Sequence, residues 1–146
     1  MVDLIVRIIH ALTQLHPLHP MFVHFPIALT GAAFLFILLA YWRHSSSFEQ
    51  TAFANIVLAS ISTIVAGFTG YLDNIKNYVG EAPNASTKIV LATLLFFLTA
   101  GISIVRYRNP DLFKKANPIL YMASYGLCFG IALVLAFLGG VILYGF

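Results

Sequence analysis

Charged residues are scarce in this sequence: eight Lys and Arg and five Asp and Glu make up only 9% of its 146 residues. Soluble domains usually carry charge on about a quarter of their residues. Hydrophobic residues account for 60% of the sequence instead. This composition excludes an ordinary soluble domain and predicts an integral membrane protein.

Several motifs of catalytic proteins are also missing. Cys128 is the single cysteine, so the sequence contains neither an internal disulfide nor a CxxC motif. It has no phosphate-binding glycine loop, no HExxH and no CxxCH. The long apolar stretches hold no ionisable residue near their middle, which argues against a transporter. We therefore predict no catalytic residues and, with a net charge of only +3, no nucleic-acid partner.

Long uncharged or nearly uncharged stretches occupy most of the sequence. Each is close to or above the roughly 17 to 25 residues that a helix needs to cross a bilayer. None shows the period-two alternation of a barrel strand. We predict one all-α membrane domain over residues 1–146, a four-transmembrane-helix bundle with helices at about 20–43, 51–72, 87–107 and 117–144.

The first fifteen residues have a different pattern. Asp3, Arg7, His10 and Gln14 follow one another at spacings of four, three and four, and apolar residues fill the positions between them. The segment lacks the basic start and the small-residue cleavage site of a signal peptide. It predicts an N-terminal amphipathic helix over 1–15 that lies in the membrane interface.

The distribution of basic residues predicts the orientation. Alternating helices place five basic residues at one membrane face and Arg7, Lys76 and Lys88 at the other. Because cytoplasmic loops are enriched in Lys and Arg, the larger group is expected to face the cytoplasm and both termini the periplasm. The larger group comprises Arg43, Arg106, Arg108, Lys114 and Lys115.

Small residues recur every four positions on two of the predicted spans. On the second they are Ser62, Ala66 and Gly70, and on the fourth they are Ser124, Cys128, Ala132, Ala136 and Gly140. Small residues allow helix backbones to approach closely in lipid. We expect the second and fourth spans to form the closest contact, and the same faces to bind other membrane subunits.

Potential ligands cluster before the first span and at the same membrane face. His16, His19 and His24 lie within nine residues, and antiparallel threading brings Asp73 and Lys88 to the same surface. Imidazole and carboxylate are suitable ligands for transition metals. The candidate cofactor-binding residues are therefore His24, His19, His16 and Asp73, and the candidate metal ligands are His24, His19 and Asp73.

Prolines shape this histidine-rich run. Pro20 suits the first turn of a helix, which would place His19 at the N-cap. Pro26 removes a backbone donor and leaves the Phe22 carbonyl without its usual helical partner. The histidines, the free carbonyl and the positive helix end together predict a polar pocket at this face.

The run HPMFVHFPIAL at residues 19–29 resembles the opening motif of an uncharacterised bacterial membrane family, domain of unknown function 2231. Residues 70–73, GYLD, are similar to the GxxD that ends the second helix of that family. Residues 139–145, GGVILYG, resemble its terminal GGxLVYxxG. The resemblance implies a small four-helix protein of the bacterial inner membrane. Because some members are associated with Rieske or cytochrome-type modules, it also implies an electron-transfer setting.

The sequence departs from this family at one place that bears on a cofactor. Many members carry HisxxxAsn at the start of the third helix, where this sequence has Lys88 followed by Ile89 to Ala92. A haem held by two histidines on facing helices would lack its second ligand here.

Two functions remain open. The first is a non-catalytic accessory or scaffold subunit of a respiratory or photosynthetic electron-transfer complex. The second is a self-contained redox protein that binds haem b, a metal ion or a quinone through His24 with His19 or His16. In a third interpretation, the histidines only cap the helix, bond to freed carbonyls and pair with Asp73.

Overall fold

The computed structural model describes residues 2–10, 18–115 and 117–144, all in helices or in the short connections between them. No strand occurs among these residues. The helices are α1 (Val2–His10), α2 (Leu18–Arg43), α3 (Ser46–Tyr78), α4 (Ala85–Arg108), α5 (Leu112–Lys115) and α6 (Pro118–Tyr144).

Four of these helices, α2, α3, α4 and α6, are long and apolar enough to cross a membrane. The predicted all-α bundle of four membrane-spanning helices is thus confirmed. Short connections make consecutive spans antiparallel. Each span packs against two neighbours, in the cyclic order α2, α3, α4, α6.

The short helix α1 is amphipathic, with Asp3, Arg7 and His10 along one stripe. All its side chains from residue 3 to residue 10 are exposed, including large apolar ones such as Ile5 and Ile9. An amphipathic pattern of this kind is typical of helices that lie in the membrane interface, and the interfacial position of α1 stays a prediction. The rest of the segment predicted as helical, residues 11–15, lies outside the described residues.

The buried residues of the spanning helices follow an alternating spacing of three and four. On α3 this stripe begins at Glu49 and ends at Ala66, and on α2 it begins at Pro26 and ends at Ala40. A repeat of 3.5 residues keeps one face of each helix against its neighbours in a left-handed bundle. The stripe residues are 26, 30, 33, 37 and 40 on α2; 49, 52, 56, 59, 63 and 66 on α3; and 121, 125, 128 and 132 on α6.

The prediction that the second and fourth spans make the closest contact is wrong. The most extensive contact is between α2 and α3, whereas α3 and α6 lie diagonally across the bundle. The small-residue row of α6 still faces inward, since Cys128 and Ala132 are buried, but it packs beside α2 and α4. Connections of only a few residues join α2 to α3, and this topology overrides the match of small-residue rows.

Close approach of α2 and α6 depends on two glycines that face phenylalanines. A Cβ on Gly31 would lie 2.9 Å from the Phe129 ring, and one on Gly126 would lie 3.0 Å from the Phe34 ring. The two rings also contact each other, with centroids 6.3 Å apart. Each helix therefore supplies one ring and one glycine gap to the same contact.

Helix α3 extends beyond the apolar stretch that predicted it. Its 33 residues correspond to a length of about 50 Å, well above the roughly 30 Å of a hydrocarbon core. At its end, Val79 and Gly80 adopt positive φ angles. The Asn74 side chain accepts from the Ala82 amide at 2.9 Å and donates to the Gly80 carbonyl, which fixes the connection to α4.

We predict that Gly126→Leu destabilises the bundle by about 1 to 3 kcal/mol, because the new side chain displaces the Phe34 ring from a packed contact. The matched control is Gly130→Leu, one turn further along α6, where nothing lies within 4 Å of an added Cβ. Denaturation of both variants in micelles by titration with SDS provides the measurement. Equal stability of the two variants would contradict the packing described here.

Candidate functional site

The bundle has two chemically different ends. The end that carries His19, His24, Asp73 and Lys88 is called the histidine end. The opposite end carries Arg43, Arg106, Arg108 and α5, and is called the basic end. The antiparallel threading that the sequence predicted places each of these residues at its expected end.

At the histidine end, His19 bonds across to α3. Its Nδ1 lies 3.1 Å from the Ala66 carbonyl oxygen and 3.4 Å from the Thr69 hydroxyl. The ring packs directly over Gly70, where an added Cβ would lie 2.7 Å from the imidazole. The small-residue row of α3 therefore accommodates this histidine and the start of α2.

The prediction that His19 is an N-cap is wrong. Helix α2 begins at Leu18, so His19 lies within its first turn. Its imidazole does not cap its own helix because it reaches the neighbouring helix, where the Ala66 carbonyl gives it a partner. Pro20 is compatible with this position, because backbone amides in the first turn of a helix have no acceptor within the helix and the amide hydrogen that proline lacks is not needed there.

His24 has a different environment. Its side chain is exposed, and its Nδ1 contacts the Pro20 carbonyl oxygen one turn earlier in the same helix. Five residues separate it from His19, which corresponds to about 140° around the helix axis. His24 therefore faces outward from the bundle, whereas His19 faces α3.

Asp73 and Lys88 flank His19 and are both partly buried. Both exert an electrostatic effect on the His19 ring, and they act on each other as well. Asp73 also accepts a hydrogen bond from the Asn77 side chain at 2.5 Å. The structure therefore brings His19, Asp73 and Lys88 into one polar group, as the sequence predicted. The third member, Lys88, is a cation and not a further metal ligand.

Within the described part of the chain, no three His, Cys, Asp or Glu residues lie close enough to hold one metal ion. His16, the remaining candidate of the histidine run, lies outside the described residues. The described candidates thus divide into an inward pair, His19 with Asp73, and the outward His24.

Among the described residues, the most deeply buried acidic or basic side chain lies at the basic end and was not predicted. Glu49, in the first turn of α3, is only 2% exposed. Arg106 of α4 binds it through two parallel hydrogen bonds: Nε to Oε1 at 2.5 Å and Nη2 to Oε2 at 2.8 Å. This bidentate geometry is the strongest arrangement for a carboxylate and a guanidinium.

Two tyrosines of α6 extend this cluster. The Tyr121 hydroxyl donates to Glu49 Oε1 at 3.0 Å, and the Tyr125 hydroxyl lies 3.1 Å from that of Tyr121. The Arg106 guanidinium also stacks over the Phe53 ring, 5.3 Å from its centroid. We call Glu49, Arg106, Tyr121 and Tyr125 the Glu49 cluster; it connects α3, α4 and α6.

The sequence does contain a signal for the Glu49 cluster. Glu49, Ala52 and Ile56 stand at spacings of three and four, so that Glu49 continues the buried stripe of α3. The predicted helix limits followed the edges of the uncharged stretches, and they therefore left Glu49 outside the second membrane span. Its partner is 57 residues away along the chain, and only the tertiary structure brings the two together.

These features define a multi-pass helical membrane protein with a polar cluster at each end of its bundle. More specifically, the chain belongs to the family described as Predicted membrane protein (DUF2231), whose model matches residues 15–146. The family that the sequence resembled is thereby confirmed. No curated protein and no solved structure matched the chain.

We predict that Arg106→Met lowers the free energy of unfolding by about 3 to 5 kcal/mol, because it leaves the Glu49 carboxylate buried without its counter-ion. The matched control is Arg108→Met, which removes an exposed guanidinium two residues away and should change stability by about 0.5 kcal/mol or less. SDS denaturation in micelles measures both.

The double variant Glu49→Gln, Arg106→Met should recover much of this loss, since no buried charge then remains unpaired. If the double variant were as unstable as the sum of its single variants, the ion pair would not be the cause.

Proposed function

We propose that this protein is a non-catalytic accessory or scaffold subunit of a membrane electron-transfer complex, respiratory or photosynthetic, in the bacterial inner membrane. The electron-transfer setting comes from the family resemblance alone. The scaffold role is supported by the contacts of the described residues.

The scaffold role rests mainly on one observation: the buried polar groups form their hydrogen bonds with other groups of the same chain. Among the described residues, every buried side-chain nitrogen or oxygen has a hydrogen-bond partner. The Glu49 cluster connects three helices, and His19 connects two. These polar groups hold the bundle together, which is the property expected of a rigid structural subunit.

A partner subunit needs an outward-facing surface, and α6 offers one. The inward small residues Cys128 and Ala132 are closed to a partner because they are buried. Gly130 faces outward on the same helix beside the exposed Val134, with nothing within 4 Å of an added Cβ. We propose that another membrane helix packs closely against α6 at Gly130. On α3, by contrast, His19 and α2 already cover the small-residue row.

The proposed orientation places the basic end in the cytoplasm and the termini in the periplasm. It is supported by the exposed Arg43 and Arg108 and by the two lysines of α5. Fewer basic residues lie at the histidine end, and there Lys88 stands beside Asp73. The histidine end would then face the compartment in which soluble periplasmic electron carriers operate.

We predict that the tagged protein, solubilised from its native membranes in a mild detergent, migrates on a blue native gel with a large complex that contains haem or iron–sulfur subunits. The variant Gly130→Leu should migrate at lower mass, because the new side chain separates the two helix backbones. The matched control Gly67→Leu, at an exposed and equally open position on α3, should remain in the complex. Mass spectrometry of the excised bands identifies the redox subunits, and a wild-type protein found without any of them would contradict the proposal.

A second candidate function is favoured by the geometry of His24. A histidine that binds a metal commonly bonds its other ring nitrogen to a backbone carbonyl, and Nδ1 of His24 has the Pro20 carbonyl as such a partner. Its Nε2 would then bind haem b or a metal ion, or accept a hydrogen bond from the hydroxyl of a reduced quinone. In this proposal, His16 or a second polypeptide supplies a second contact, because His19 and Asp73 face the inside of the bundle and His24 faces away from it.

We predict for this second candidate that the purified protein shows either a Soret band that shifts on reduction with dithionite, or one equivalent of bound metal or quinone. His24→Ala should abolish that signal, whereas His44→Ala, which removes an exposed histidine at the basic end, should retain it. Absorption spectroscopy, metal analysis and quinone extraction on the same sample provide the readouts. A colourless preparation free of metal and quinone would contradict the ligand-binding function and leave the scaffold function standing.

A further inference from the structure

An open apolar groove lies between α4 and α6 near the basic end, with a volume of about 250 Å³. Helix α5 lies at one end of it. Its walls include Gly101 and Val105 from α4, Leu112 from α5, and Leu120, Tyr121 and Ser124 from α6.

Gly101 is the main reason for the groove. It has no side chain, and nothing lies within 4 Å of the position that a Cβ would occupy. The contact between α4 and α6 is also the least extensive of the four between neighbouring spans. A gap between two spanning helices that is lined by apolar side chains suits a hydrocarbon chain better than water, since water there would find few polar partners.

Positive charge lies next to the groove. Gly101, Val105 and Arg108 follow one another at spacings of four and three, so they share one face of α4. Arg108 is exposed, and α5 adds Lys114 and Lys115 to the same connection between α4 and α6. Asp111 is the acidic residue of this connection, so basic residues outnumber it three to one.

Arg106 does not contribute to this excess, because its guanidinium is engaged by Glu49. The excess of basic residues therefore belongs to the membrane-surface end of the groove, while the groove itself is apolar. An apolar channel that ends in excess positive charge matches the two parts of an anionic phospholipid, its acyl chain and its phosphate headgroup.

We propose that the groove binds one acyl chain of an anionic phospholipid, whose phosphate lies near Arg108 and α5. The proposal is independent of the scaffold function, because the groove residues Leu120 and Ser124 lie on a different face of α6 from Gly130. The lipid fills the gap that Gly101 leaves between α4 and α6 and covers Tyr121, a member of the Glu49 cluster.

The experiment uses the full-length protein, purified and reconstituted with equal amounts of phosphatidylglycerol and phosphatidylcholine, and then washed in detergent. Native mass spectrometry counts the lipids that remain bound. We expect one phosphatidylglycerol per protein, retained in preference to phosphatidylcholine. Arg108→Gln should lower this preference about fivefold, the effect expected of one basic side chain near an anionic headgroup.

Filling the groove should remove the lipid. Gly101→Leu is expected to lose it, and the matched control Gly67→Leu, at an exposed and equally open position on α3, to retain it. If Gly101→Leu fails to fold, Leu120→Trp fills the groove from the opposite wall, with Leu127→Trp, an exposed position of α6 outside the groove, as its control.

Two results would overturn the proposal. Equal retention of phosphatidylglycerol and phosphatidylcholine by the wild-type protein would show that the basic residues do not bind the anionic headgroup selectively. Loss of lipid in Arg108→Gln but not in the groove-filling variants would show that surface charge alone holds the lipid, without an acyl chain in the groove.

Discussion

The pairing of Glu49 with Arg106 is the constraint on which the basic end of this bundle depends. A single buried carboxylate in a membrane protein is costly, and it persists only where a counter-ion and hydrogen-bond donors surround it. Arg106 supplies two donors from α4 and Tyr121 supplies a third from α6. Three helices are therefore fixed relative to one another at one level, and any change in their register would separate these groups.

Between the two polar ends, the described residues of the bundle are held by close packing rather than by hydrogen bonds between helices. The hydroxyls of Thr30, Thr63 and Thr99 all donate to carbonyls of their own helices, so these side chains are satisfied without a partner on another helix. Attraction between helices in lipid then rests on van der Waals contact, which requires small gaps. The glycine and phenylalanine pairs of α2 and α6 provide such contact.

The histidine end combines a structural and an outward-facing imidazole within six residues. His19 is held by the Ala66 carbonyl and by close contact with Gly70, so it contributes to the contact of α2 with α3. His24 lies on the outside of the bundle and makes its contact within its own helix. The two histidines of this motif therefore have different roles. The motif indicated the family, but family membership does not by itself assign a ligand to either histidine.

Much of the fold followed from the sequence. Four long apolar stretches determined four spanning helices, because lipid offers no hydrogen bonds and a helix satisfies its own backbone. The sequence also placed His19, Asp73 and Lys88 at one end, since short connections force antiparallel threading. Which helices are neighbours, which histidine faces inward, and how Glu49 is neutralised were decided only by the tertiary structure. The reason is that these properties depend on the rotation of each helix about its axis and on contacts between residues such as Glu49 and Arg106, 57 positions apart, whereas hydrophobicity along the chain reports only where each helix crosses the bilayer.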